Sequence, residues 1–146
     1  QTYDDQGLAT NLMRMRDPVH NRTLMGIARV RLSEKKVDFY TVGPSEPVGA
    51  FAMAPGGEKA YALYTTIEAY EFWEFDLVEE IVTRRVPFAG RPRMGLEVSA
   101  DGTKLYVHVA GNTIDVYDAD TFSLIRTVEF DEDMTLGNIA IIPGGE

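Results

Sequence analysis

The chain has 146 residues, 45% of them hydrophobic, with 13 Gly and 7 Pro, a composition that can bury a core and is unlike that of a disordered segment. A formal net charge of −9 works against binding to nucleic acid and anionic membrane surfaces, where a basic face supplies affinity, and favours solubility. Cysteine is absent, which excludes disulfides, thiolate chemistry and cysteine-type zinc sites, and no apolar run reaches the roughly 20 residues of a membrane-spanning helix.

Residues 1–10 are polar and read as a loop or arm. The chain opens at Gln1 without a Met or a charged-then-apolar leader, as expected of a processed chain or a piece of a longer one. Residues 11–16 set Leu12, Met13 and Met15 beside Arg14 and Arg16 and read as a strand. A loop at 17–22 contains Pro18, and strands are expected over 24–32 and 37–42, joined by a turn at 33–36. Residues 43–47 carry two prolines and cross to a second group of strands, expected at 48–53, 60–64, 70–75 and 81–86. A second crossing at 87–93 leads to the clearest pattern in the chain. There, Leu96 and Val98, then Leu105, Val107 and Val109, then Ile114 and Val116, each alternate with polar residues. Asp101-Gly102, Gly111-Asn112 and Asp118-Ala119-Asp120-Thr121 supply the turns, and a fourth strand runs from about 123 to 130. An acidic segment, Asp131-Glu132-Asp133, precedes a lone strand expected at 138–142.

The pattern repeats. Ala54-Pro55-Gly56-Gly57-Glu58-Lys59-Ala60-Tyr61 aligns with Ser99-Ala100-Asp101-Gly102-Thr103-Lys104-Leu105-Tyr106 at an offset of 45 residues, and Phe72-Trp73-Glu74-Phe75-Asp76 aligns with Ile114-Asp115-Val116-Tyr117-Asp118 at 42. Arg29-Val30-Arg31 aligns with Asp115-Val116-Tyr117 at 86, two periods away. A four-stranded meander repeated at this period defines blades of a β-propeller. The fold class is therefore all-β, with four-stranded antiparallel blades, about three of them here. The expected division is a blade over 11–42 lacking its inner strand, blades over 48–86 and 94–130, and the inner strand of a shared blade at 138–142. Known propellers close with about 4–8 blades, so a three-bladed piece needs other blades or chains to cover its ends. One arrangement is a homodimer in which the terminal strand of each copy completes the first blade of the other.

The stretches 24–30, 98–107 and 113–134 resemble propellers of the YVTN and amine-dehydrogenase type, in particular the C-terminal half of the β subunit of quinohemoprotein amine dehydrogenases. The carriers are Leu24-Met25-Gly26-Ile27-Ala28-Arg29-Val30, Val98 through Val107, and Thr113-Ile114-Asp115-Val116-Tyr117-Asp118-Ala119-Asp120-Thr121. The resemblance extends from about residue 11 onward. It implies a seven-bladed ring, a periplasmic or secreted location, and a scaffold subunit of an amine-oxidising complex. The quinone cofactor and haem c would then sit on partner subunits, with none bound by this chain. The alternatives are a stand-alone YVTN-type interaction propeller and an enzyme with its site in the central channel.

No residue set announces catalysis. His108 alternates with Val107 and Val109 and is expected to pack or hydrogen-bond between blades; His20 has no partner at metal-ligand spacing. Asp118-Ala119-Asp120 lacks the third ligand and Gly of a calcium loop. Trp73 and Phe75 share one strand face, with Phe72 opposite, and inter-blade packing is their expected role. The candidate partner or ligand residues lie in the crossover loops and a neighbouring loop of the same face: His20, Arg22, Glu46, Arg91, Arg93, Asp131 and Asp133. Arg91 and Arg93 suit a carboxylate through paired N–H donors, or pair with nearby acids of the rim.

Overall fold

A computed structural model describes residues 2–3, 8–135 and 139–142. Twelve strands form three antiparallel sheets of four, with no helix among the described residues. Blade 1 contains β1 (Thr2–Tyr3), β2 (Leu8–Asp17), β3 (Arg22–Arg31) and β4 (Lys36–Pro44). Blade 2 contains β5 (Val48–Met53), β6 (Lys59–Thr65), β7 (Tyr70–Asp76) and β8 (Ile81–Pro87). Blade 3 contains β9 (Met94–Val98), β10 (Lys104–Val109), β11 (Thr113–Asp118) and β12 (Leu124–Glu129). In each sheet every strand pairs with its neighbours in sequence, the meander of a propeller blade.

Two features differ from the sequence reading. The first blade was expected to lack its inner strand, yet Thr2 and Tyr3 pair with Thr10 and Ala9 and occupy the start of that position. A two-residue strand has no alternation to read, so a polar arm was the natural inference. The strand expected at 138–142 is absent where it can be assessed: Ile139 through Ile142 carry no strand, and Asn138 lies outside the described residues.

Alternation along the strands places one apolar set on each sheet face, and the blades stack through these sets. Between blades 1 and 2 lie Met25, Ile27, Val48, Ala60, Ala62, Trp73, Phe75 and Leu77. Between blades 2 and 3 lie Tyr61, Leu63, Phe72, Leu96, Leu105, Val107, Tyr117 and Phe122. Trp73 is therefore inter-blade packing, as its alternation with Phe72 predicts, and its Nε1 donates to Glu71 Oε2 at 2.9 Å. Phe72 sits at the centre of the second interface, 4.0 Å from the Phe88 ring centroid, 4.9 Å from that of Tyr117 and 5.2 Å from that of Phe122.

Two glycines are required by geometry. Gly102 adopts φ 75° in the β9–β10 turn, where its N–H donates to the Ser99 carbonyl at 2.9 Å. Gly26 lies beneath Phe39, and a Cβ there would fall on the Tyr40 carbonyl oxygen. Blade 1 also holds Thr10 Oγ1, Arg29 Nε and Tyr40 Oη buried without a hydrogen-bond partner among the described residues.

Candidate functional site

The strand order brings the crossovers and the turns between second and third strands to one end of the blades. Backbone bonds tie each crossover to that turn: Ser45 N–H to Thr23 O (3.0 Å), Phe88 N–H to Tyr70 O (3.0 Å) and Phe130 N–H to Asn112 O (2.8 Å). All seven candidate residues lie at this end.

His20 and Arg22 are brought together by Asp17. Its Oδ2 lies 2.8 Å from His20 Nδ1 and accepts from Arg22 Nε at 3.2 Å, while Oδ1 accepts the Val19 and His20 N–H groups. The His20 bond, with the backbone donors and Arg22, holds the Asp17 carboxyl below its ordinary range despite some desolvation. This network closes its own turn. At Glu46 the backbone is what the fold uses. Arg14 donates to Ser45 Oγ (3.1 Å) and to the Glu46 and Val48 carbonyls (both 3.0 Å), pinning the first crossover. Arg91 and Arg93 form no ion pair among the described residues; the Arg91 N–H points at Met94 Sδ (3.4 Å) and Arg93 sits at φ 62°. Asp133 accepts from the Thr135 N–H at 2.7 Å and from its hydroxyl, and these bonds hold its carboxyl low. No bond links Asp131 or Asp133 to the other groups among the described residues. His108 lies over Gly95 of β9, on the face of blade 3 turned away from blade 2.

The cleft is at the opposite end. Between blades 2 and 3, the β5–β6, β9–β10 and β11–β12 turns border an open cleft of about 450 Å³ lined by Glu58, Lys59, Tyr61, Asp101, Asp118 and Asp120 over an Ala54–Pro55 wall. Asp101 Oδ1 accepts from Ser99 Oγ (2.6 Å), Thr103 N–H (3.0 Å) and Thr103 Oγ1 (2.7 Å), which holds this carboxyl far below its usual range. Asp118 Oδ1 accepts the Thr121 and Asp120 N–H groups at 2.8 and 2.9 Å, lowering its carboxyl too. Both are therefore ionised at neutral pH.

A latch below the cleft joins the two blades. Glu74, with a side chain only 6% exposed, takes Arg84 Nη2 at 2.6 Å, Thr83 Oγ1 at 2.8 Å and Lys59 Nζ at 3.9 Å. Burial pushes the Glu74 carboxyl up, but the bonds from Arg84 and Thr83 and the charges of Arg84 and Lys59 outweigh it and hold it low. Arg84 reaches on to the Asp120 carbonyl (2.5 Å) and lies 4.3 Å from the Phe122 ring centroid. Phe122 adopts φ 57°, unusual for a bulky side chain, which swings it into blade 2 until it is 5% exposed. The left-handed conformation costs about 1–2 kcal/mol, and burying a Phe returns about 1.5–3 kcal/mol, so burial decides the turn's shape.

Sequence reading used the turn motifs at 54–61 and 99–106 only as evidence of repetition. Their convergence follows from propeller packing itself, since identical turns of adjacent blades must meet. Among the described residues, no group of three or more His, Cys, Asp or Glu is placed to hold a metal ion.

No protein-family model matches the sequence, and no curated protein matches it. Solved structures do. The β-propeller domain of the Trilobed protease from Pyrococcus furiosus aligns with TM-score 0.56 at 16% identity, over 88% of this chain and 41% of that one. XC5397 from Xanthomonas campestris, a gluconolactonase, aligns with TM-score 0.61 at 15% identity, over 90% and 46%. The Dos1 propeller aligns with TM-score 0.58 at 10% identity, over 90% and 34%. Likeness at such identities is one of fold, and the fold is that of the β-propeller. The chain spans less than half of each of these chains.

Proposed function

We propose that the chain is a non-catalytic scaffold portion of a β-propeller whose ring is completed by further blades, within a periplasmic amine-dehydrogenase-type assembly. The observation that carries this reading is the pair of open blade faces. On blade 1, the face away from blade 2 carries Met13 (43% exposed), Met15 (46%) and Val37 (57%), placed on that one face by the pairings of Met13 with Gly26 and Val37 with Val30. On blade 3, the outer face carries half-buried Tyr106, His108, Ile114 and Val128, with no sheet over it among the described residues. Interior blades cover both faces, so the terminal ones are matched to neighbours of the same kind.

The amine-dehydrogenase assignment rests on the resemblance of residues 24–30, 98–107 and 113–134. A covalent haem needs cysteines, and the sequence has none. The single tryptophan, Trp73, is 3% exposed inside the inter-blade core. The residues of this chain therefore fit neither haem c nor a tryptophan-derived quinone, and the proposal assigns both to partner subunits. A second reading, the homodimeric six-bladed ring, draws support from the edge of β2. Among the described residues, β1 pairs only with Thr10 and Ala9, leaving positions 11–17 open to an added strand.

The test is Met15→Arg, a charge on the open face, compared with Ile67→Arg in a fully exposed loop. The first is expected to abolish recovery of the assembled complex and the second to leave it unchanged. Equal assembly of both variants refutes ring completion across this face. An intact wild-type complex without amine-dependent dye reduction refutes the dehydrogenase assignment alone.

A further inference from the structure

The three buried polar atoms of blade 1 without a hydrogen-bond partner among the described residues, Thr10 Oγ1, Arg29 Nε and Tyr40 Oη, share one face. Leu12, Ile27 and Tyr40 form a row across β2, β3 and β4, and this row packs into the cluster between blades 1 and 2. Thr10 lies two residues from Leu12 and Arg29 two from Ile27, so both point the same way, and they are direct partners in the β2–β3 ladder. Tyr40 is the diagonal neighbour of Arg29 across β3 and β4. Arg29 spans the interface, where its Nη2 donates to the Gly57 carbonyl of blade 2 at 3.2 Å. That bond fixes the guanidinium beside Thr10, which is 0% exposed.

Buried polar groups are nearly always hydrogen-bonded, and three orphans on neighbouring positions indicate a bound species. Arg29 Nε is a donor only, and both hydroxyls can donate to the same point. Burial pushes the Tyr40 phenol up to about 12, so it keeps its proton at neutral pH. Arg29 forms no ion pair among the described residues, because its β4 partner Asp38 is held by Arg31 and by Lys36 at 3.5 Å. A water molecule would satisfy the bonds and leave that charge unanswered, whereas an anion does both. Asp76 and Glu80 of blade 2 act electrostatically on Tyr40 and work against an anion, although Asp76 Oδ1 is engaged by the Val78 and Glu79 N–H groups at 2.9 Å. Their charge weakens such a site.

We infer that a chloride ion binds between blades 1 and 2, held by the Arg29 Nε–H and the hydroxyls of Thr10 and Tyr40. All three atoms are buried, which suits a single-atom anion and disfavours a carboxylate or phosphate group. The donors come from three strands and meet only in the folded chain, so the ion stabilises that state. The site lies wholly within blades 1 and 2 and does not depend on how the ring closes.

The experiment measures urea unfolding of the full chain at pH 7 and fixed protein concentration. Sodium chloride is exchanged for sodium methanesulfonate, an anion too large for the site, at constant ionic strength. A dissociation constant of about 10 mM makes the folding equilibrium constant roughly tenfold larger in 100 mM chloride. Tyr40→Phe and Thr10→Val each keep the packed shape and remove one donor, and in each the chloride gain is expected to fall to about threefold or less. Arg29→Met is expected to abolish it. Tyr40→Phe carries the test if Arg29→Met does not fold. Line broadening of the chloride-35 resonance by the wild type, and less by Tyr40→Phe, is the expected direct signal. A wild-type stability indifferent to chloride overturns the inference and leaves water as the occupant. An equal gain in methanesulfonate, which would be ionic screening alone, overturns it as well, as does an undiminished chloride gain in Tyr40→Phe.

Discussion

Replacing Arg84 by Met isolates the latch between blades 2 and 3. Met retains the stem that packs near Phe122 but removes the guanidinium from Glu74, whose side chain is 6% exposed. Removing one partner of a buried pair costs about 3–5 kcal/mol, because the other charge is left buried. Two observations reduce this figure. Arg84 is itself 34% exposed, and Thr83 and Lys59 remain on Glu74. The expected loss is about 2–3 kcal/mol at neutral pH, or roughly 4–12 °C in melting temperature for a chain of this size. The pH dependence gives a second signature. In the wild type the Glu74 carboxyl is held low, so its contribution is fully present above the unfolded value of 4.5 and is lost as pH falls through the lower folded value. In Arg84→Met, burial is the largest influence left and raises the carboxyl. The variant then regains stability as pH falls, and the gap between the two proteins is widest at pH 7 and narrows toward pH 4. Urea denaturation at several pH values, with Glu74→Gln and the double variant closing a thermodynamic cycle, measures both effects. A loss below about 0.5 kcal/mol, or a gap independent of pH, refutes the latch.

Tyr40→Phe removes a buried hydroxyl with no partner among the described residues and is expected to stabilise by about 1 kcal/mol in the same assay. Burial pushes the Tyr40 phenol up to about 12 from 10.0, so the wild type loses stability between pH 10 and pH 12 and the Phe variant loses less. Gly26→Ala sets a Cβ against the Tyr40 carbonyl, a backbone atom that cannot swing aside, and is expected to cost about 3 kcal/mol or to prevent recovery of folded chain. Phe72→Ala empties the centre of the second inter-blade cluster and is expected to cost about 3–5 kcal/mol.

The sequence made the blades legible because their signal is local and repeated. Alternation over six or seven residues fixed the faces of Trp73 and Phe72, and Asp-Gly at 101–102 fixed a turn. What it concealed depends on pairing across distance. Thr2–Tyr3 is a strand only because β2 lies beside it. Phe122, left between the turn at 118–121 and the strand expected from about 123, becomes core because its positive φ swings it into blade 2. The crossover loops drew attention for their charge, yet His20 and Arg22 serve a turn around Asp17. The cleft arises instead from turns of two blades, 45 residues apart in sequence, whose acids look unremarkable in either turn alone.

The central claim is that these three blades are part of a ring and not a finished unit. Light scattering on a sizing column, with the chain expressed alone, tests it most directly. The account predicts that the chain does not persist as a monomer, because the open faces of blades 1 and 3 find other copies. A two-copy species of defined mass would favour the six-bladed homodimer, and a broad distribution would favour a ring completed by other blades. A monodisperse monomer with a cooperative unfolding transition and no binding of a hydrophobic dye would contradict the account.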